Sequence, residues 1–241
     1  MFVKMRGWIG LLVLMGSLAE AQEWKSGIVW ERPPVIEGAL PTTTPPPEGA
    51  IVLFDGTDLS QFNGAESWKV RDGFMEVGKG SITTKRPFGS CRLHIEFATP
   101  AEVRGEGQNR GNSSVRFMEN YEIQILDSYN NETYYDGQCG AIYKQNPPMR
   151  NVCRKPGEWQ SYDITFLAPK FDAEGNLVRA ARMTAYQNGE LIQNSFELQG
   201  STWFFTRPAS YTAHAPKLPL LLEDHGSPVR FRNIWIEEIE D

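Results

Sequence analysis

The chain has 241 residues, a net charge of −6 and a hydrophobic content of 40%, with 22 glycines and 16 prolines. This length and composition are typical of one globular domain and exclude a largely disordered chain. Because the charge is negative and no basic block is present, nucleic acid is not expected as a partner.

Residues 1–21 have the pattern of a secretory signal peptide. Lys4 and Arg6 give the positive start, a short apolar run follows, and the sequence AEA at 19–21 is a small-x-small cleavage site. The apolar run is too short for a membrane span, and no cysteine follows it to carry a lipid. We therefore expect cleavage after Ala21, a secreted or periplasmic protein and no membrane anchor afterwards. A short N-terminal anchor is the alternative.

Residues 22–48 form a proline-rich N-terminal arm that contains RPPVIEGALPTTTPPPE and lacks sustained periodicity. Such a composition favours an extended, polyproline-like geometry. The apolar residues Trp24, Ile28, Val29 and Trp30 indicate that part of the arm packs on the domain that follows it.

From residue 51 onwards the sequence predicts short strands separated by turns. IVLF precedes an Asp-Gly turn, WKV and FMEV flank Arg71-Asp72-Gly73, and MTAYQ and ELIQ flank Asn188-Gly189. Asn-Gly between two such runs is the strongest short hairpin signal. No amphipathic helix stands out, so about a dozen regularly spaced strands predict an all-β, two-sheet sandwich. The glycine-rich segment 104–111, RGEGQNRG, is interpreted as a surface or site-edge loop.

CRLHIEFA alternates strictly between apolar and polar residues. Its apolar face carries Cys91, Leu93, Ile95 and Phe97, which we expect in the core. Its polar face carries Arg92, His94 and Glu96, for which we expect a solvated position.

The segment YEIQILDS, residues 121–128, predicts a second alternating strand. Glu122, Gln124 and Leu126 share one side of it, while Ile123 and Ile125 share the other. Asp127 is out of phase with Glu122 and reaches its side only if the strand ends or bulges first. We expect Asp127 to cap the turn DSYNN instead.

Several motifs occur in one order along the chain: IVLFDGTDLSQF, WKVRDG, YEIQILDS, GAIYKQNPP, KPGEWQSYDI, NGELI and EDHGSPVRFRNIWI. In this order they resemble the 3-keto-disaccharide hydrolase family, also called 3-keto-glucoside 1,2-lyase/3-keto-2-hydroxyglucal hydratase. The resemblance places a family domain at residues 49–241. It implies an antiparallel jelly roll of the concanavalin A-like type, with a curved sheet that forms a sugar-binding trough. It also implies a substrate already oxidised at C3 of the sugar, a 3-keto-glycoside.

A 3-keto sugar needs only one general base, because the ketone acidifies the proton on C2. Elimination at C1 followed by hydration then gives net hydrolysis without an organic cofactor. Glu122 is the expected base, Arg116 a donor to the enolate or a hydroxyl, Lys144 a second donor, and His225 a proton shuttle. The expected substrate-binding residues are Arg116, Gln124, Asp127, Tyr135 and Tyr143. Further aromatic candidates for stacking on sugar rings are Tyr129, Tyr134, Trp203 and Phe204.

Alternative interpretations stay open. Glu122 could be a salt-bridged strand residue and His225 a turn residue. The domain could also be a carbohydrate-binding module without turnover, or a retaining glucanase. Glucanases that look similar place acids at three alternating positions of one strand, whereas this chain has Gln124 and Leu126 after Glu122, which disfavours a two-carboxylate mechanism.

The three cysteines would lie in an oxidising compartment after export. Cys139 and Cys153 bracket one segment, and we expect them to form a disulfide that closes a loop of ~15 residues and stabilises the fold by ~3 kcal/mol. Cys91, on an apolar strand face, is expected to be a buried free thiol.

The histidine spacing contains neither His-x-His nor His-x-x-x-His, so no metal site is assigned. The oxygen-rich loop that contains Asn130, Asn131 and Asp136 leaves a calcium ion open as an alternative.

Overall fold

A computed structural model describes residues 26–202 and 210–240. The predicted signal peptide, Trp24, and the stacking candidates Trp203 and Phe204 lie outside the described residues. Within them, no helix is long and apolar enough to cross a bilayer.

Short β-strands dominate the described chain. In chain order they are β1 Ile51–Phe54, β2 Phe62–Asn63, β3 Lys69–Arg71, β4 Phe74–Glu76, β5 Ile82–Phe88, β6 Cys91–Ala98, β7 Ser113–Phe117, β8 Tyr121–Ile125, β9 Gln160–Leu167, β10 Lys170–Phe171, β11 Leu177–Arg179, β12 Arg182–Gln187, β13 Glu190–Glu197, β14 Leu218–Leu222 and β15 Arg230–Glu238. The described residues also contain two short 3-10 turns, Gly107–Asn109 and Tyr135–Gly137.

The strands form two antiparallel sheets. The larger sheet has the order β13-β12-β9-β6-β15-β4-β3, with β1 also paired to β15, and the smaller sheet has the order β2-β5-β14-β7-β8. Strands β10 and β11 form a separate ribbon. Many neighbours are far apart in sequence, such as β6 with β15 and β5 with β14, as in a jelly roll, so the predicted all-β sandwich of this type is confirmed.

The core lies between the inner faces of the two sheets. Cys91, Leu93, Ile95 and Phe97 of β6 are buried there, as the alternation predicted. Aromatic rings join the sheets, as in the stacked pair of Phe117 from β7 and Phe166 from β9, whose centroids are 4.7 Å apart.

The predicted hairpin at Asn188-Gly189 is also confirmed. These residues join β12 to β13 with φ angles of 52° and 78°. Both values lie in the left-handed region that a two-residue type I′ turn requires, and Asn and Gly tolerate that region best.

The outer face of β6 differs from expectation. Arg92 is exposed, but His94 and Glu96 are fully buried, so the prediction of a solvated position is wrong for both. The N-terminal arm covers this face: the carbonyl of Thr44 accepts the indole N–H of Trp235 at 2.9 Å, and the Trp235 ring stacks on His94 at 5.4 Å. A strand pattern alone could not reveal this cover, because the arm comes from a segment without periodicity.

Buried charges under the arm are paired. His94 Nδ1 lies 2.6 Å from Asp163 Oδ1, and the Glu96 carboxylate accepts bonds from Arg232 at 2.6 Å and Asn233 at 2.9 Å. Burial alone would raise the pKa of Glu96, but its hydrogen bonds to His94, Asn233 and Arg232 lower the pKa to about 2. The arm contacts the same group of charges, because the Thr42 hydroxyl donates to Asp163 Oδ2 at 2.5 Å.

Cys91 is a buried free thiol as predicted, and burial raises its pKa to about 12. The predicted disulfide between Cys139 and Cys153 is not formed in the structure, where both are free thiols. The two thiols nevertheless lie together, since the Gln187 amide nitrogen is 3.5 Å from one sulfur and 3.4 Å from the other. Their pairing on oxidation stays a prediction.

Candidate active site

An open cleft of ≈ 370 Å³ lies on the outer face of the smaller sheet, beside β7 and β8. In β8, Tyr121, Ile123 and Ile125 point into the core, so Glu122 and Gln124 point the other way, into the cleft. The residues that line it are Gln108, Asn109, Asn112, Arg116, Glu122, Gln124, Tyr143 and His225. The cleft therefore unites five residues that the sequence singled out: Arg116, Glu122, Gln124, Tyr143 and His225.

Glu122 lies at the floor of the cleft with 2% of its surface exposed. Arg116 is its direct cross-strand neighbour on β7, and the guanidinium Nη2 is 2.9 Å from Glu122 Oε2. That oxygen has no hydrogen-bond partner in the part of the chain that the structure describes, so the contact with Arg116 is an ion pair. Burial raises the pKa of Glu122 to about 7, with Arg116 opposing the rise and the negative Glu223 adding to it. A carboxyl group with this pKa can both accept and return a proton near neutral pH.

Glu223 fixes the position of Arg116 from the other side. It follows β14, which pairs with β7, and its two carboxylate oxygens accept bonds from Arg116 Nε at 3.0 Å and Nη2 at 3.1 Å. The Ser114 hydroxyl donates to the same carboxylate at 2.5 Å. Burial alone would raise the pKa of Glu223, but the hydrogen bond from His225, the charge of Arg116 and the bond from Ser114 lower it to about 2.

The sequence analysis did not identify Glu223. A signal was present, because Glu223 and His225 are two positions apart in the motif EDHGSP. Glu223 is not among the residues that line the cleft, so it acts through Arg116 and His225.

His225 lies at the rim of the cleft with 44% of its side chain exposed. Its Nε2 is 3.4 Å from Glu223 Oε1. The hydrogen bond to Glu223 raises the pKa of His225, although partial burial opposes the rise. An imidazole with a raised pKa keeps its proton to a higher pH than an ordinary histidine, and this one is open to a ligand in the cleft.

Amide side chains form another part of the cleft lining. The Gln124 amide nitrogen donates to Gln108 Oε1 at 3.1 Å, while Gln124 Oε1 and Asn112 Oδ1 are buried without a hydrogen-bond donor from the described residues. Buried acceptors of this kind are satisfied by a donor such as a sugar hydroxyl. Gln108 and Asn112 were missed by the sequence analysis, although the segment 104–111 was interpreted as a site-edge loop.

Lys144 and Tyr135 are not placed in the cleft. They line a separate cavity of ≈ 480 Å³ together with Tyr134 and the arm segment 26–30. The Lys144 ammonium nitrogen lies 3.6 Å from the centroid of the Tyr134 ring. Tyr143 is connected to this group by a 2.7 Å hydrogen bond between its hydroxyl and that of Tyr134.

Asp127 is also outside the cleft, although β8 ends at Ile125 before it. Its carboxylate accepts the backbone N–H of Tyr129 at 3.1 Å, so the predicted turn cap is confirmed. The other oxygen accepts Arg110 Nε at 2.7 Å.

The loop considered for calcium is held by its own hydrogen bonds. The Asn131 side chain accepts the N–H of Gly107 at 2.8 Å and donates to the carbonyls of Gly107 and Asp127. Among the described residues, no group of three or more His, Cys, Asp or Glu side chains could hold a metal ion.

Comparisons with known proteins identify the family and the fold. The family model of the 3-keto-alpha-glucoside-1,2-lyase-like domain matches residues 49–237. A solved structure of a proposed glycosyl hydrolase from Parabacteroides distasonis ATCC 8503 is 41% identical, covers 89% of this chain and 95% of its own, and has a TM-score of 0.78.

Two further proposed glycosyl hydrolases from the same organism share the fold. They are 19% and 24% identical, each covers 80% of this chain, and they cover 95% and 100% of their own chains with TM-scores of 0.60 and 0.58. A search of the curated proteins found no match.

Proposed function

Because the chain belongs to the family of 3-keto-alpha-glucoside-1,2-lyase-like domains, we propose that it cleaves 3-keto-glycosides by elimination and hydration, with Glu122 as the general base. The observation that carries the proposal is a buried carboxyl group, with a pKa of about 7, at the floor of an open cleft. Such a group is half ionised near neutral pH, where a base is most effective.

In the first step Glu122 takes the proton from C2, and the electron pair of that C–H bond forms the enolate with its charge on O3. The guanidinium of Arg116, held by Glu223, donates to the enolate oxygen. The enolate then returns its electrons: the C3 carbonyl re-forms, a C1–C2 double bond forms, and the C1–O bond breaks. Protonated His225 gives its proton to the departing oxygen.

In the second step water adds across the double bond. Neutral His225 takes a proton from the water, the oxygen bonds to C1, and Glu122 returns its proton to C2. The sum of both steps is hydrolysis of the glycoside, and each residue ends in its starting protonation state. The keto group supplies the activation, so no organic cofactor takes part.

The amide side chains of Gln124 and Asn112 bind the sugar. Gln124 Oε1 and Asn112 Oδ1 accept hydroxyl protons, which satisfies two buried acceptors that have no donor among residues 26–202 and 210–240. Tyr143 adds an aromatic surface on the same cleft.

The test is the Glu122→Gln variant. The change is nearly isosteric, so we expect a folded protein whose kcat for a 3-keto disaccharide falls by about 10² or more through loss of the base. Glu119→Gln is the matched control, because Glu119 is exposed just before β8 and carries the same charge. Equal activity of the two variants would refute the role of Glu122.

A substrate panel separates this function from its alternatives. The parent protein is incubated with a 3-keto disaccharide, its unoxidised parent sugar and β-glucan. We expect turnover of the first alone. Binding without turnover would instead identify a carbohydrate-binding module, and cleavage of the glucan a retaining glucanase. Activity after chelator treatment tests the calcium alternative.

We also propose that the protein is exported and that residues 1–21 are removed on the way. The pattern of a positive start, a short apolar run and a small-x-small site supports this. Mass spectrometry of the exported protein should find an N-terminus at Gln22, and a retained leader would contradict the proposal.

A further inference from the structure

The orientation of the Gln108 amide is fixed by the backbone. Gln108 lies in the 3-10 turn Gly107–Asn109 at the edge of the cleft. Its side-chain nitrogen donates to the carbonyl of Gly137 at 2.9 Å and to the Thr133 hydroxyl at 2.9 Å. Because a carbonyl oxygen can only accept, the nitrogen of this amide has to face Gly137. The side-chain oxygen of Gln108 therefore faces another way, and there it meets Gln124.

The orientation of the Gln124 amide follows from that of Gln108. Gln108 Oε1 has no proton to give, so it accepts from Gln124 Nε2 at 3.1 Å. Gln124 Oε1 has to point elsewhere, and it has no donor among the described residues. Gln124 is only 2% exposed and lines the cleft. The carbonyl of Gly137 thus determines, through Gln108, that Gln124 presents an acceptor to the cleft.

Asn112 repeats this arrangement. Its Nδ2 donates to the backbone carbonyl of Gln108 at 2.8 Å, which again can only accept. Its Oδ1 is buried and meets no donor in the described parts of the chain, and the residue lines the cleft. The cleft therefore has two acceptors, and neither amide can present its nitrogen instead without breaking a hydrogen bond.

A donor lies beside these acceptors. Arg116 pairs with Glu122, which is two positions from Gln124 on β8. Side chains two positions apart share a face of the strand and stand about 7 Å apart. Asn112 directly precedes β7, whose first residue pairs with the last residue of β8, so both acceptors lie towards the same end of the strand pair. The guanidinium group has N–H donors and no acceptor. The polarity of the cleft thus changes along the sheet.

We propose that Gln108 is a specificity-determining residue, which acts through Gln124 and makes this end of the cleft select ligand groups that donate hydrogen bonds. Hydroxyl groups satisfy the two buried acceptors. A keto oxygen or a fluorine at the same place leaves them unpaired, and a buried polar group without a partner is costly. A keto sugar is therefore bound with its ketone turned towards Arg116. The inference rests on the proposed function for the identity of the ligand.

Gln108→Met tests the proposal. The change keeps the length of the side chain but removes the acceptor for Gln124, whose amide can then turn either way. The substrates are a 3-keto-glucoside and two analogues, in which fluorine replaces the hydroxyl at C4 or at C6. We expect the ratio of kcat/KM, hydroxylated over fluorinated, to fall at least tenfold for one analogue or both. The intrinsic reactivity of each substrate is the same for both proteins and cancels in this comparison.

Two control variants separate polarity from packing. Gln145→Met removes another buried glutamine, which donates to the carbonyl of Gly200 and does not line the cleft. Thr133→Val removes one partner of Gln108 but leaves the carbonyl of Gly137 to orient the amide. Both variants should keep the ratios of the parent. An equal fall in Thr133→Val and Gln108→Met would overturn the role given to the Gly137 carbonyl.

Thermal unfolding checks that each variant folds, and Gln108→Ala gives the same expectation if Gln108→Met does not. Unchanged ratios in the Gln108 variant, with the substrates turned over, would overturn the proposal and leave the role of Glu122 standing. If the parent turns over none of the substrates, the proposed function fails, and the same comparison is made with Kd values from calorimetry. Equal changes of Kd for all three compounds, or no binding, would then overturn the proposal as well.

Discussion

The buried carboxyl group of Glu122 should make the folded protein less stable as the pH rises. Its pKa is about 7 in the folded chain, against 4.5 for an ordinary glutamate. Between these values the unfolded chain has released the proton while the folded chain still holds it, so the free energy of unfolding falls as the pH increases. At about 1.4 kcal/mol for each pKa unit, the loss reaches up to about 3 kcal/mol above the folded pKa.

Glu122→Gln removes this titration. The free energy of unfolding of the variant, relative to the parent, should therefore rise by up to about 3 kcal/mol between pH ~5 and pH ~8. The raised pKa values of His94 and His225 also reduce stability as the pH increases above their ordinary value. The contribution of His94 is present in both proteins, whereas that of His225 becomes smaller in the variant, because the charge of Glu122 is one of the causes that raise the pKa of His225. Urea denaturation at both pH values measures the difference.

Glu119→Gln again serves as the control, since an exposed carboxylate should leave the difference between the two pH values unchanged. Parallel pH dependence of Glu122→Gln and the parent would show that the pKa of Glu122 is not raised. The proposed base would then be largely ionised at all working pH values, and the reasoning that connects burial to proton transfer would be refuted.

Two further predictions concern the neighbours of this site and the thiols. Glu223→Gln removes a negative charge that raises the pKa of Glu122, so the acidic limb of the plot of kcat/KM against pH should shift to lower pH by ~1 pH unit or more. An acidic limb at the same pH as in the parent would contradict this coupling. If Cys139 and Cys153 pair on oxidation, the denatured parent should titrate with one free thiol, and Cys139→Ser should show two and lose ~3 kcal/mol in urea denaturation. Three thiols in the oxidised parent would exclude the pairing.

Strands were predictable from the sequence where alternation was strict. In β6 and β8 the apolar residues marked the core face, because side chains of a strand alternate with a period of two whatever the strand pairs with. The same rule placed Glu122 and Gln124 together on the face opposite Ile123. The expectation that a polar strand face is solvated was wrong for His94 and Glu96, because such a face can be covered by a segment that has no periodicity of its own.

The site was predictable only in part for a similar reason. Lys144 belongs to the motif GAIYKQNPP, and Tyr135 was an expected substrate-binding residue, yet both line a cavity beneath the arm. Glu223 was missed although it determines where Arg116 lies. The contact between Glu223 and Arg116 could not be predicted from local sequence, because the two residues are 107 positions apart.

The sequence by itself determined the fold class, the strand that carries Glu122 and the face on which its side chain lies, since these follow from local backbone geometry and turn chemistry. Only the tertiary structure decided that β14 lies beside β7, that Glu223 and Glu122 contact Arg116 from two sides, and that the arm covers the opposite sheet. A pKa depends on burial and on charges acting through space. The chemical character of Glu122 therefore arises from segments that meet only after folding.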